Sequence, residues 1–208
     1  MLAVILGTGP SLTPDQLEHV KQAQAAGKCK VFGMNNTWMD AKLDVFLACN
    51  PEYYSHFWDK GLKDYPCEKW TWDKSTATKY DITHIHGKWG DGFSKTHLHY
   101  GHSSGFQAPG LAYYMGFRKL ILLGYDMGYA PDYNGKTRQI GSKPRHYFGE
   151  YPSQLQHWPS VKVKDGVFTE LIEQFEKVKE INTDLEIVNC TPGSYMTCFP
   201  MMDIKEAL

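Results

Sequence analysis

The sequence predicts an α/β protein built on a mainly parallel sheet, and three observations carry that reading. Short continuous apolar runs, Leu2–Leu6 and Lys119–Leu123 most clearly, read as strands buried on both faces. They alternate with helical stretches, of which 167–180 has the plainest amphipathic period. Alternation of this kind implies right-handed crossovers and one parallel sheet. The expected architecture is a single Rossmann-like domain over residues 1–208, with a lid loop over about 128–160.

The elements follow in order. Strand 2–6 runs into the tight turn Gly7-Thr8-Gly9-Pro10-Ser11. Thr13, Pro14 and Gln16 then supply an N-cap, a first-turn proline and a capping-box partner for a helix reaching about residue 26 and ending at Gly27. Strands are expected at 30–34, stopping at Asn35-Asn36, and at 43–48, stopping at Cys49-Asn50-Pro51. Residues 53–100 are aromatic and mixed and give no clear period. Ser103-Ser104-Gly105 leads into a helix over about 106–115, despite Pro109 and Gly110. Strand 119–123 ends at Gly124-Tyr125-Asp126, and a last strand, 185–188, ends at Asn189 to Ser194. Residues 128–160 carry many Gly, Pro and Tyr without a period, which is the signature of a functional loop.

Composition removes several function classes. With 208 residues the chain has room for one domain, and a second compact one is not expected. Hydrophobic residues at 42% and charged residues at 22% are a globular balance. A net charge of −1 lacks the basic excess of a dedicated nucleic-acid binder. No apolar run reaches the length of a membrane span, and the N-terminal run has no basic flank and stops at Gly7, so no signal peptide is expected. The 5 cysteines are odd in number and form no C-x-x-C, which favours free thiols and a cytoplasmic location.

In parallel sheets ligands sit beyond the carboxyl ends of the strands. The strand ends at Gly7–Ser11, Asn35–Asn36, Asn50, Gly124–Asp126 and 189–194 should therefore converge on one crevice. Glycines such as Gly7 and Gly9 let backbone N–H groups approach a phosphate at a helix start, with Ser11 beside them, although the turn is neither a full G-x-G-x-x-G nor a P-loop. Asn35, Asn36 and Asn50 offer the donors and acceptors that suit ribose hydroxyls or a base edge. Five of the 9 histidines, His84, His86, His97, His99 and His102, lie within 19 residues. His-x-His on a strand has metal-ligand spacing, but no Cys or paired carboxylate completes a set nearby, and the expectation is no metal. No D-x-D triplet occurs anywhere to hold a metal-bound diphosphate. Two of the 3 arginines, Arg138 and Arg145, cluster with Lys143, His146 and several tyrosines in the long loop. Arg and Tyr there can hold phosphate oxygens, and His146 can serve as a general base near neutral pH.

These motifs, in this order, resemble the bacterial sialyltransferases of the Campylobacter type, glycosyltransferase family 42, and a related set of often phage-encoded proteins. The resemblance lies in the opening strand with Gly7-Thr8-Gly9-Pro10-Ser11-Leu12, in Met34-Asn35-Asn36, in Cys49-Asn50-Pro51 and in Ser103-Ser104-Gly105. It continues through Tyr114 to Asp126 and through Arg145-His146-Tyr147-Phe148-Gly149, while residues 61–100 have no counterpart. The resemblance implies a Rossmann-like fold and metal-independent transfer from a CMP-sugar. It places Gly9, Ser11, Asn35, Asn50, Ser104 and Gly105 on the nucleotide donor, and His146 as the base on the acceptor. It places tyrosines after the Gly-x-Asp strand end on the leaving phosphate, where Tyr129 and Tyr133 are the nearest matches.

The sequence reading is thus a glycosyltransferase that takes a nucleotide-activated sugar as co-substrate and uses no other cofactor. His146, Tyr129, Tyr133 and Arg145 are its catalytic candidates. Gly7, Gly9, Ser11, Asn35, Asn50, Ser104, Gly105 and Asp126 are its donor-binding candidates. The acceptor (glycan, small molecule or modified base) and homo-oligomerisation stay open. Two alternatives stand beside it. One is a pterin-type pyrophosphokinase using ATP and Mg²⁺, for which Asp126 would need a second carboxylate. The other is a non-enzymatic nucleotide-sequestering protein, which would not need His146.

Overall fold

The computed structural model describes residues 2–101, 103–128, 146–148, 155 and 167–208. Its centre is β1, Leu2–Leu6, paired in parallel with β2, Cys29–Met34, on one side and with β8, Lys119–Leu123, on the other. β3, Val45–Leu47, β4, Glu68–Thr71, and β5, Thr83–His84, extend the sheet beyond β2, while β9, Glu186–Asn189, extends it beyond β8. The strand order is β5-β4-β3-β2-β1-β8-β9, and every pairing is parallel. A separate two-stranded sheet pairs β6, Gly87–Lys88, with β7, Leu98–His99. This is the Rossmann-like α/β architecture expected from the sequence.

Side-chain alternation builds a layer on each face of the sheet. Ala3 and Ile5 of β1 with Leu120 and Leu122 of β8 join one buried cluster, whereas Val4 and Leu6 with Ile121 and Leu123 join the other. Helices α4, Ser104–Tyr114, and α5, Val167–Ile181, contribute Phe106, Leu111, Phe175 and Val178 to the first. Helices α1, Pro14–Ala25, and α2, Pro51–Phe57, contribute Val20, Tyr53, Tyr54 and Phe57 to the second. Strands buried on both faces cannot show a polar alternation, which is why they read as continuous apolar runs.

Most elements lie within one or two residues of their expected bounds. α1 carries the full capping box: Gln16 N–H donates to Thr13 Oγ1 at 3.3 Å, and Thr13 N–H donates to Gln16 Oε1 at 2.9 Å. β3 is shorter than the expected 43–48, and α4 begins two residues before the expected start because Ser103 caps it, accepting from Phe106 N–H. The stretch without a period resolves into α2, β4, α3 (Lys74–Tyr80), β5, β6 and β7. Each has seven residues or fewer, too short for a helical or strand period to register. Most of the expected lid lies outside the described residues.

Two carboxylates tie the outer elements together. Asp44, just before β3, accepts from Gln24 Nε2 of α1 at 2.7 Å, from Val31 N–H of β2 at 2.8 Å and from Lys30 Nζ at 2.8 Å. Burial pushes its pKa up, but these hydrogen bonds outweigh that and hold it below the ordinary value. Asp184, between α5 and β9, accepts from Tyr113 OH at 2.7 Å and Arg118 Nε at 3.0 Å and pairs with Lys95 at 2.9 Å. Hydrogen bonds from Lys95 and Tyr113, with the Arg118 charge, hold its carboxyl down at about 2.

Both groups are depressed in the folded state. Their stabilisation is present above the unfolded carboxylate range near ~4 and is lost as pH falls towards the folded values. Thermal melts from pH 6 to pH 2 should fall less steeply for Asp184→Asn than for the wild type, and identical slopes would contradict the account. Asp44→Ala should cost about 1–3 kcal/mol at neutral pH, because it leaves the Val31 N–H and the Gln24 amide without their acceptor.

Candidate functional site

Chain order and strand order diverge at one place. The chain steps outward from β1 to β5, then returns to lay β8 against the free side of β1. The crevice between the carboxyl ends of β1 and β8 is the topological switch point, where open α/β sheets bind ligands. All of the strand ends singled out in the sequence stand on this edge, because β1, β2, β3, β8 and β9 are parallel.

The two strand ends at the switch point are locked together. Gly7 N–H donates to Leu123 O at 2.7 Å, and Gly9 N–H donates to Gly124 O at 2.9 Å. A Cβ on Gly7 would lie 2.5 Å from Gly124 O; one on Gly9 would lie 2.6 Å from the same oxygen and would run into the Asp126 carboxylate. The Asp126 carboxylate accepts from Ser11 Oγ at 2.8 Å and Ser11 N–H at 3.2 Å. The glycines therefore answer first to the protein's own backbone. The anion held at the start of the turn into α1 is Asp126, so the Ser11 N–H that the sequence reading offers to a phosphate is already engaged.

A second helix start faces the same edge. Within α4, Phe106 N–H and Gln107 N–H bond to Ser103, leaving the first-turn N–H groups of Ser104 and Gly105 without a partner inside the helix. A Cβ on Gly105 would make ordinary van der Waals contacts only, with Ser103 Oγ at 3.6 Å and the Tyr125 ring at 3.9 Å. Pro109 cannot donate to the carbonyl four residues before it, and that carbonyl, Gly105 O, instead accepts from Tyr125 OH at 3.0 Å. Tyr125, fully enclosed after β8, thereby fixes the start of α4 to the switch point. It is braced in turn from β9: Tyr125 N–H donates to Thr191 Oγ1 at 2.9 Å, and Ser194 Oγ donates to Tyr125 O at 2.6 Å.

The asparagines divide. Asn36 is buried and accepts from Tyr53 OH at 2.8 Å, so it serves the fold. Asn35 takes a left-handed backbone, φ 49°, at the end of β2. Asn50 is the exposed N-cap of α2, yet its side chain makes no capping hydrogen bond. An N-cap asparagine ordinarily spends its side chain on the helix; here the exposed amide is not used that way. Next to it, Cys49 is buried and donates to Gln107 Oε1. Burial pushes its thiol up to about 12, which removes it as a nucleophile at neutral pH.

His146 comes to the β1 turn from 138 residues away, with its Nδ1 at 3.1 Å from Thr8 Oγ1. Tyr147 N–H donates to Thr8 O at 3.1 Å, and Tyr147 OH to Asp40 Oδ2 at 3.1 Å, so this short segment is docked by main chain and side chain alike. The His146 ring stacks on Phe148, with centroids 5.0 Å apart. Tyr147 also borders a cleft of about 330 Å³ beside the start of α1, lined by Leu12, Pro14, Leu17 and Ala41. Tyr129, Tyr133 and Arg145 lie outside the described residues, as do Arg138, Lys143 and His102. The sequence reading placed the stretches that hold Thr8, Tyr125, Thr191 and Ser194 at this edge, but not the hydrogen bonds by which these residues brace it. The one local signal was Pro109, whose missing N–H points to Gly105 four residues earlier.

Gly9→Ala should destabilise the protein by at least about 1–3 kcal/mol without any ligand, since backbone and carboxylate must move to admit the methyl. Gly105→Ala should hold or raise stability, because the methyl meets its neighbours at ordinary contact distance and alanine is the better helix former. Denaturant melts of the two variants check this, and a Gly9→Ala protein as stable as wild type would contradict the packing. Cys49 should stay unmodified by a thiol reagent at pH 8 in the folded protein and react only on unfolding.

Comparison of the chain with protein-family models, with curated proteins and with solved structures gives no match, so a functional conclusion rests on the geometry of this edge and on the motifs that build it.

Proposed function

We propose that the chain is a glycosyltransferase that takes a nucleotide-activated, CMP-sugar-like donor and transfers the sugar without a metal. The observation that carries the reading is the docking of His146 onto Thr8, which sets a base beside the turn at the β1–β8 switch point. The order of motifs shared with family 42 sialyltransferases supports it.

The crevice suggests a division of labour. The donor phosphate lies against the open N–H groups of Ser104 and Gly105, where the α4 dipole favours negative charge. It avoids the Ser11 side of the crevice, where the Asp126 carboxylate would repel it. Asn35 and Asn50 take the ribose and base edge. Gly7, Gly9 and Ser11 act by holding Asp126 in place, and Asp126 faces the sugar, where a carboxylate stabilises positive charge developing at the anomeric carbon. In the tautomer that donates Nδ1–H to Thr8 Oγ1, His146 holds its lone pair on Nε2. Nε2 takes the acceptor hydroxyl proton as the new C–O bond forms at the anomeric carbon and the bond to phosphate breaks. The nucleotide departs with the bonding pair. Tyr129 and Tyr133, near matches to the family's tyrosines, and Arg145, from the Arg and Tyr cluster of the long loop, are assigned to the leaving phosphate from the sequence alone.

A panel of nucleotide sugars and ATP, each with and without EDTA, tests this. A CMP-sugar should raise the melting temperature and turn over in EDTA. Turnover of ATP that requires Mg²⁺ would replace the reading with a kinase, and nucleotide binding without transfer to any acceptor would replace it with a sequestering protein. His146→Ala should lower turnover by about 10²–10⁴-fold with little change in donor affinity. Thr8→Val should lower it less, and Thr8→Ser should restore it. Near-wild-type turnover in His146→Ala would overturn the assignment of the base.

A further inference from the structure

The histidine-rich stretch is not used by this reading, and its geometry is specific. β6 and β7 pair in parallel, with Gly87 opposite Leu98 and Lys88 opposite His99. Leu98 N–H donates to His86 O at 2.9 Å, which continues the ladder and sets His86 opposite His97. Paired residues of a parallel ladder share a face, and alternate residues of one strand share it too. His86, Lys88, His97 and His99 therefore stand on one face, while Leu98 turns the other way into the core near α4. On the histidine face, His97 Nε2 and His99 Nε2 are 2.9 Å apart, with ring planes crossing at 60°.

The outer nitrogens of the pair are both anchored. His99 Nδ1 is 2.8 Å from Gly92 O; a carbonyl only accepts, so Nδ1 carries the hydrogen and Nε2 the lone pair. His97 Nδ1 is 2.9 Å from Thr96 Oγ1 and 3.1 Å from Ser94 Oγ. Without an ion the pair is satisfied by one His97 N–H donated to His99. With an ion, His97 moves its hydrogen to Nδ1, where the same hydroxyls accept it, and both Nε2 atoms become ligands with no net loss of a proton. A backbone carbonyl or hydroxyl on the outer nitrogen is the supporting shell that metal-bound histidines characteristically have.

We infer that His97 and His99 form a chelating site for a divalent transition-metal ion, which His86 completes from the neighbouring strand. Among the described residues no three metal-binding side chains already converge, so the pair is the nucleus and the exposed His86 ring swings in. The 2.9 Å between the rings is the hydrogen bond of the ion-free pair, which an ion would replace. Imidazole nitrogens suit Cu²⁺, Ni²⁺ and Zn²⁺, and Cu²⁺ leads that affinity order.

The test uses the full chain and Cu²⁺ or Zn²⁺ alone, titrated in competition with a chelator and read by copper electron paramagnetic resonance. One equivalent of Cu²⁺ should bind more tightly than Zn²⁺ and show coupling to at least two nitrogens. His97→Ala and His99→Ala should each weaken binding by more than about 100-fold, since loss of a ligand exceeds the ~10–100-fold cost of losing a supporting partner. Thr96→Val should cost about tenfold. His84→Ala should change nothing, because His84 Nε2 lies 3.1 Å from Trp72 O. Melting temperatures of the variants confirm that they fold. The His97→Ala/His99→Ala double variant sets the background of the terminal amine and other surface groups. Wild-type affinity no greater than that of the double variant, or a signal without nitrogen coupling, overturns the site.

Discussion

The close approach of the β1 and β8 ends is the constraint on which the rest of the edge depends. Two main-chain hydrogen bonds, Gly7 to Leu123 and Gly9 to Gly124, bring these ends together where a side chain on either glycine would not fit. The contact delivers Asp126 to Ser11 and Tyr125 to the start of α4. Both consequences bear on chemistry. The first places a fixed carboxylate in the crevice, and the second aims a helix N-terminus at it. Side chains that brace Tyr125 from β9 then make the crevice a joint product of three strand ends.

Charge follows from this arrangement. A turn that already holds a carboxylate is a poor place for a second anion, whereas the first-turn N–H groups of Ser104 and Gly105 have no partner within α4. The phosphate and the developing cation of a displacement at carbon need opposite surroundings. The two sides of the switch point differ in that sense: an acidic side built on Asp126 and a helix-dipole side built on Ser104. His146 attaches at Thr8, on the side of the switch point that carries Asp126, which is where the proposed transfer needs its base.

Local signals in the sequence were enough for the elements that are long or buried on both faces. β1, α1 with its capping box, β8 and α5 could be read because apolar runs, Thr13 with Gln16, and a sustained helical period are local. The outer half of the sheet could not: β4 is four residues at a half-exposed position, and β5, β6 and β7 have two residues each. The glycine turn and Asn50 were legible as strand-end residues of this edge, but the contacts made there were not. Asp126 meets Ser11 across 115 residues and His146 meets Thr8 across 138, and contacts that distant leave no periodic trace in the chain. Asn36 was misleading because an asparagine at a strand end looks the same whether its amide bonds a ligand or Tyr53.

The central claim is that the donor phosphate belongs to α4 and not to the turn after β1. A crystal structure of the protein with CMP tests it most directly. The account predicts phosphate oxygens within hydrogen-bond distance of the Ser104 and Gly105 N–H groups, with the bonds from Ser11 to Asp126 intact. A phosphate seated on Ser11 N–H, with Asp126 displaced, would contradict it.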